Sequence, residues 1–272
     1  MITYPNAKIN LGLNVVERRA DDYHNIETIF YPIGLHDVLC VEPSDTCSDY
    51  SFSASGISLG GDPEENLIIK AYRLLRAQYQ FPAVDISLLK QIPFGAGLGG
   101  GSADAAFMLK ALNEEFQLKI TAKKLEQLAA KLGADCPFFI KNKPVYATGI
   151  GTIFSPVNIS LKGYWLLLVK PDIHVSTAEA YSGITPAPSE IPLTTLIQQP
   201  IADWKDLIKN DFEKTVFEKH PAIAELKSEM YKLGATYAAM SGSGSSVYGI
   251  FNDIPENKNQ FNDCFVVSGE LE

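Results

Sequence analysis

Pro93-Phe94-Gly95-Ala96-Gly97-Leu98-Gly99-Gly100-Gly101-Ser102 holds five glycines in ten residues. Glycine loses more conformational freedom on folding than any other residue and brings no side chain to a core. Such density suits a backbone that must wrap a ligand closely. Directly after the run, Ala105, Leu109, Leu112 and Phe116 recur at helical spacing, so the run ends where a helix begins. Ahead of it, Val84, Ile86 and Leu88 alternate as a strand. Free backbone N–H groups and the positive end of the helix dipole make such a start an anion site. The stretch reads as a phosphate cradle, with a flexible surface turn as the plainer alternative.

Two familiar phosphate loops fit it poorly. Gly95, Gly97 and Gly100 make a literal G-x-G-x-x-G. The dinucleotide fingerprint, however, needs an acidic residue about 20 positions on, at the end of the next strand. Glu114 and Glu115 lie inside the predicted helix instead. A Walker A loop needs a lysine before its serine, and Gly101 stands there.

The chain has 272 residues, 46% of them hydrophobic, enough for one large domain or two small ones. A formal net charge of −9 argues against a nucleic-acid surface, so a phosphate ligand must be held by local geometry. Cys40, Cys47, Cys136 and Cys264 are scattered without a C-x-x-C pair, which favours neither a zinc site nor a disulfide framework. With no signal segment and no membrane-length apolar run, a soluble protein of a reducing cytoplasm is expected. The sequence leaves the oligomeric state open.

Ile9, Leu11, Leu13 and Val15 alternate with Lys8, Asn10, Gly12 and Asn14, which predicts an early strand with one polar face. Residues 42–62 read as hairpins and turns. Asp62-Pro63-Glu64-Glu65 predicts a helix start, followed by a stripe of Leu67, Ala71, Leu74 and Leu75. Thr121 caps a further helix that Gly133 is expected to stop. A loose pattern near residue 155 marks a domain boundary, giving units 1–155 and 156–272. Residues 185–200 carry four prolines and read as a surface connection. Pro221 opens a helix ended by Gly234. A second glycine loop, Ser241-Gly242-Ser243-Gly244-Ser245, leads into a strand. Mixed helices and hairpins in two units predict an α+β protein.

Pro93-x-x-x-Gly97-Leu98-Gly99-x-Gly101-Ser102-Ala103 resembles the nucleotide loop of the GHMP kinases, the family of galactokinase, homoserine kinase, mevalonate kinase and phosphomevalonate kinase. Two more segments resemble that family in order: Pro5-Asn6-Ala7-Lys8-Ile9-Asn10-Leu11 and Met240-Ser241-Gly242-Ser243-Gly244-Ser245. Four details resemble one branch, which phosphorylates the 2-hydroxyl of a cytidine-diphosphate-linked methylerythritol in the non-mevalonate route to isoprenoids. They are Arg19-Ala20-Asp21-Asp22-Tyr23-His24, Leu132-Gly133-Ala134-Asp135-Cys136-Pro137-Phe138, the triple glycine, and Lys170-Pro171 through Ser176-Thr177 to Tyr181. Asp22 departs from the branch, which has glycine there; aspartate tolerates a left-handed backbone better than most residues.

The resemblance implies a two-domain GHMP kinase fold, with an N-terminal domain like ribosomal S5 domain 2 and a ferredoxin-like C-terminal domain. The active site is expected in the cleft between them. It implies ATP with Mg2+, although no acidic cluster marks a metal ligand set, and a small-molecule cytidine diphosphate substrate, with no nucleic acid or membrane partner. Pro93, Gly95, Gly97, Leu98, Gly99, Gly100, Gly101, Ser102, Ala103 and Asn66 are the implied ATP contacts. Asp135 is the implied general base and Lys8 the cation beside it. By spacing alone these are a turn residue and a solvated strand lysine. Tyr23 and Tyr181 are expected to sandwich the cytosine. Asn10, His24, Thr177, Gly242, Ser243 and Gly244 are expected to hold the rest of the substrate. A homoserine or mevalonate type of kinase, or a catalytically silent member of the fold, is the alternative.

Overall fold

A computed structural model describes residues 1–45, 49–60, 62–256, 260–261 and 263–272. Cys47 lies outside the described residues. The strands are β1 (Ile2–Thr3), β2 (Asn6–Arg18), β3 (His24–His36), β4 (Val38–Pro43), β5 (Tyr50–Gly56) and β6 (Val84–Lys90). They continue with β7 (Val145–Thr148), β8 (Ile153–Pro156), β9 (Trp165–Pro171), β10 (Tyr237–Met240), β11 (Val247–Phe251) and β12 (Cys264–Glu270). The helices are α1 (Leu67–Arg76), α2 (Gly100–Glu115), α3 (Ala122–Ala129), α4 (Phe138–Lys141) and α5 (Thr177–Tyr181). After them come α6 (Leu193–Leu196), α7 (Trp204–Leu207), α8 (Phe212–Lys219) and α9 (Pro221–Lys232). None of the helices among the described residues is long and apolar enough to cross a membrane.

Packing groups the chain into two units that interleave along the sequence. The first is Met1–Ala7, Leu35–Phe94 and Gly99–Lys143; the second is Lys8–Gly34, Gly95–Leu98 and Pro144–Glu272. A single cut after residue 155 is a linear description, whereas packing puts residues 8–34 and 95–98 with the C-terminal part.

In the first unit the sheet order is β1-β4-β6-β5. β4 runs antiparallel to β6, but β5 runs parallel to it from Tyr50↔Val84 to Gly56↔Lys90. The hairpins expected across residues 42–62 are therefore replaced in part by an edge strand and a crossover. Parallel neighbours need a long connection, and α1 supplies it. Its predicted start is split in two. Asp62 caps a 3-10 turn over Pro63–Glu65, and the Asn66 side chain then accepts from Ile68 N to open α1. The buried residues are Ile68, Ile69, Ala71, Tyr72 and Leu75; Ala71 and Leu75 belong to the predicted stripe, whereas Leu67 and Leu74 lie at its half-buried margin. α2 packs on α1 and β4 through the small residues Ala103, Ala105, Ala106 and Ala111, with Met108, Leu109 and Leu112 filling the core. Thr121 caps α3 as predicted, but the helix ends at Ala129, before Gly133.

The second unit carries two sheets, β2-β3-β7-β8 and β10-β11-β9-β12. Numbering β9 to β12 as strands one to four gives the order 4-1-3-2 with antiparallel pairings, the ferredoxin-like arrangement. α9 packs on β10 and β11 and buries Ile223 and Met230 against Leu167, Val169 and Val247. Residues 185–200 are not wholly a surface connection: Leu193 of α6 is buried, and a Cβ on Gly12 would lie 2.8 Å from its Cδ1. Gly234, at φ 93°, follows α9 as expected.

Candidate active site

Within the glycine run, Gly95, Gly97 and Gly99 adopt φ of 58°, 73° and 71°, a region closed to most side chains. Residues 95–98 pack with the second unit, and α2 starts at Gly100 in the first. Gly99 caps α2 with no side-chain bond, which leaves the first-turn N–H groups for a ligand. Gly100 is required by packing, because a Cβ there would lie 2.7 Å from Ile92 Cγ2. Gly101 is not: the nearest atom to its Cβ would be Leu67 Cδ1, at 3.8 Å. Gly101 instead lines a cavity of about 550 Å³ with Phe52, Asn66, Leu67 and Phe94. The apolar lining with a few polar groups suits a flat heterocycle.

Asp135 lies in the same unit, half-buried in the turn before α4. Its carbonyl accepts from Phe138 N at 3.2 Å. Buried Cys136, Phe138 and Phe139 anchor the turn on its C-terminal side. The Cys136 thiol is hydrogen-bonded with Ser102. Burial pushes that thiol up to about 11, so it stays protonated and unreactive.

Lys8 opens the second unit on β2. The predicted polar face of this strand is not solvated, since Lys8 and Asn10 are 3% and 2% exposed. The Lys8 ammonium donates to Asn10 Oδ1 at 2.6 Å and to the Gly97 carbonyl at 3.0 Å, and sits 5.0 Å from the Phe30 ring centre. Asn10 in turn donates to Thr28 Oγ1 at 2.9 Å. The Gly97 carbonyl also accepts from Ser241 Oγ at 2.9 Å, which ties the two glycine loops together inside this unit. Asn210 holds the second loop from below, donating to the carbonyls of Met240 and Gly242, both at 2.8 Å. Gly244 is at φ 90° and Gly242 at φ 56°.

His24, Thr177 and Tyr181 belong to the second unit too. The His24 and Tyr181 rings stack with centroids 4.7 Å apart and planes 20° from parallel. Phe212 meets Tyr181 edge-on at 4.7 Å. Tyr181 stacks on His24, and Tyr23, expected with Tyr181 to sandwich the cytosine, stands 62% exposed. Asp22 takes φ 63°, the left-handed backbone its family counterpart glycine would take. Thr177 is the first residue of α5, exposed, after Ser176 caps that helix.

Three groups escaped the sequence reading. Asn210 and Thr28 are buried polar residues with no motif around them. Asp104, on α2 and on the wall of the cavity, is the third. It shares the ammonium of Lys90 with Asp37, at 2.7 and 2.5 Å, all three being buried. Burial, reinforced by Asp37, pushes the Asp104 carboxyl up to about 7 against the pull of Lys90.

Residues 66–143 match the GHMP kinases N terminal domain, and residues 193–262 the GHMP kinases C terminal domain. The chain belongs to the GHMP kinase family. It is 58% identical, over 95% of its length and 94% of the relative's, to a 4-diphosphocytidyl-2-C-methyl-D-erythritol kinase of Bacteroides fragilis. It is 56% identical to the protein of that name from Parabacteroides distasonis, with both chains covered fully. A crystal structure of 4-(cytidine 5'-diphospho)-2C-methyl-D-erythritol kinase superposes with a TM-score of 0.84 at 32% identity, covering 100% of this chain and 99% of that one. The mevalonate kinase of Methanococcus jannaschii shares the fold, at a TM-score of 0.73 and 14% identity over 100% of this chain and 98% of that one.

Proposed function

We propose that this GHMP kinase transfers the γ-phosphate of ATP to the 2-hydroxyl of 4-diphosphocytidyl-2-C-methyl-D-erythritol, giving the 2-phosphate and ADP, in the non-mevalonate isoprenoid route. The observation that carries the choice of acceptor is the His24–Tyr181 stack. A flat base gains from such an aromatic platform, while homoserine and mevalonate have no ring to offer it. Free thiols at Cys40, Cys136 and Cys264 suit a cytoplasmic location.

Phosphoryl transfer asks the protein for positioning and charge. In this reading the adenine occupies the cavity beside Asn66 and Phe94, and the phosphates meet the N–H groups at the start of α2. Asp135 takes the proton of the acceptor hydroxyl as its oxygen bonds to the γ-phosphorus and ADP leaves. The Lys8 ammonium supplies positive charge to the reacting centre, aimed by Asn10 and the Gly97 carbonyl. The second loop, Gly242, Ser243 and Gly244, covers the substrate diphosphate, and Thr177 and Asn10 contact its polar groups.

Among the described residues, no group of three or more His, Cys, Asp or Glu side chains could hold a metal ion. Magnesium would enter with the nucleotide phosphates, and the Ser102 hydroxyl at the start of α2 is the protein group that would hold it. Bound there, the ion would neutralise phosphate charge.

ADP release measured with the cytidyl substrate, homoserine and mevalonate in parallel tests the proposal. Turnover only with the first is expected; preference for another acceptor, or silence with all three, contradicts it. Tyr181→Ala should raise KM for the cytidyl substrate about 5- to 100-fold, the worth of one stacked base. KM for ATP should stay within twofold, and steady-state kinetics with each substrate varied will show the split.

A further inference from the structure

We propose that His174 is a phosphate-binding residue, its imidazole donating an N–H to the diphosphate of the cytidyl substrate. This rests on the reading of the second glycine loop as the cover of that diphosphate.

The parts concerned all lie in the second unit. His174 sits in the link between β9 and α5, between half-buried Ile173 and buried Val175, both of which pack into the core of that unit. The Ile173 carbonyl accepts from the hydroxyl of buried Ser245 at 2.6 Å, which fixes the backbone beside His174 to the end of the second loop. The His174 side chain itself is exposed. Its ring lies against the first loop: a Cβ on Gly95 would sit 2.9 Å from His174 Nδ1 and 3.1 Å from Cε1. The next carbonyl of that loop, on Ala96, accepts from Ser246 N at 3.3 Å. His174 therefore stands where the two glycine loops are joined.

Among the described residues the His174 ring has no hydrogen bond, ion pair or ring contact. The other three histidines are engaged, His24 with Tyr181, His36 with Tyr4 and His220 with Glu179. A neutral imidazole still carries one N–H donor, and phosphate is the acceptor that glycine loops of this kind gather. The course of the chain favours the phosphates of the acceptor substrate. Residues 173–181 run from the second loop to the base platform, because Ile173 bonds Ser245 and Tyr181 stacks on His24. In a cytidine diphosphate a single ribose separates base from phosphates. A ligand with its base on Tyr181 and its diphosphate under the second loop passes His174. The donor phosphates, in the same reading, lie at the start of α2 in the first unit.

The test measures inhibition of the kinase by CDP and by cytidine, which lacks the phosphates, together with KM for both substrates. The wild-type enzyme should bind CDP more tightly than cytidine. His174→Ala should weaken CDP about tenfold or more, the usual worth of a hydrogen bond to a charged group, and leave cytidine unchanged. Its KM for the cytidyl substrate should rise by a similar factor while KM for ATP stays within twofold. His174→Gln, whose amide keeps an N–H donor, should recover part of the loss. Unaltered CDP affinity in His174→Ala overturns the inference. So does an equal loss for CDP and cytidine, which a merely structural role would give, or a loss confined to ATP. Failure of the underlying reading looks different: the wild-type enzyme would then bind CDP no better than cytidine.

Discussion

Exchanging Asp135 for asparagine is expected to cut phosphoryl transfer by about 10²- to 10⁴-fold, the usual worth of a positioned general base. The amide has the shape of the carboxylate but cannot take the proton of the attacking hydroxyl. The turn should survive, because it is set by the Phe138 N to Asp135 carbonyl bond and by buried Cys136, Phe138 and Phe139, none of which involves the Asp135 side chain. KM values for both substrates and the melting temperature should therefore stay near those of the wild-type enzyme. Single-turnover kinetics with saturating substrates is the measurement. A rate within a few-fold of wild type would remove Asp135 from the mechanism.

The second large effect separates two glycines that look alike in the sequence. At Gly97 a Cβ would sit 1.9 Å from the Ser241 carbonyl oxygen, on a backbone at φ 73°. Neither backbone segment can yield cheaply, since Ser241 also bonds Gly97 and Asn10. Gly97→Ala should cost about 4 kcal/mol or more, a fall in melting temperature of about 10 °C for a protein of this size. Gly101 has room for a methyl group and lies on a helix, where alanine is the better residue. Gly101→Ala should thus fold at least as stably as wild type while raising KM for ATP about tenfold or more, because only the nucleotide needs that space. Thermal melts and ATP kinetics on the two variants check this. A stable Gly97→Ala, or a Gly101→Ala with unaltered KM, would contradict the division of roles.

The glycine run and its helix were legible because backbone conformation and capping are local properties. The strand before it and the ferredoxin-like unit's β9, β11 and α9 were legible for a similar reason, as long apolar patterns bounded by glycine or proline. Burial of polar groups was not. Lys8 and Asn10 read as a solvated face, yet the glycine loops at Gly97 and Ser241 cover them. Those loops are distant in sequence, and no periodicity in β2 records them. Residues 42–62 read as hairpins and turns, but the parallel pairing of β5 with β6 had no local sign, because it depends on the crossover through α1. The His24–Tyr181 stack had no local signature, because the two rings are distant in the chain and meet only in the fold. Asp104 left no sign at all, because its partners Lys90 and Asp37 are brought to it only by the packing of α2 on the sheet.

The central claim is tested most directly by identifying the product. Purified protein, ATP, magnesium and 4-diphosphocytidyl-2-C-methyl-D-erythritol should yield ADP and one new phosphomonoester in equal amounts, seen by phosphorus-31 NMR and coupled to the carbon bearing the 2-hydroxyl. No new phosphomonoester, or one on another hydroxyl of the methylerythritol, would contradict it.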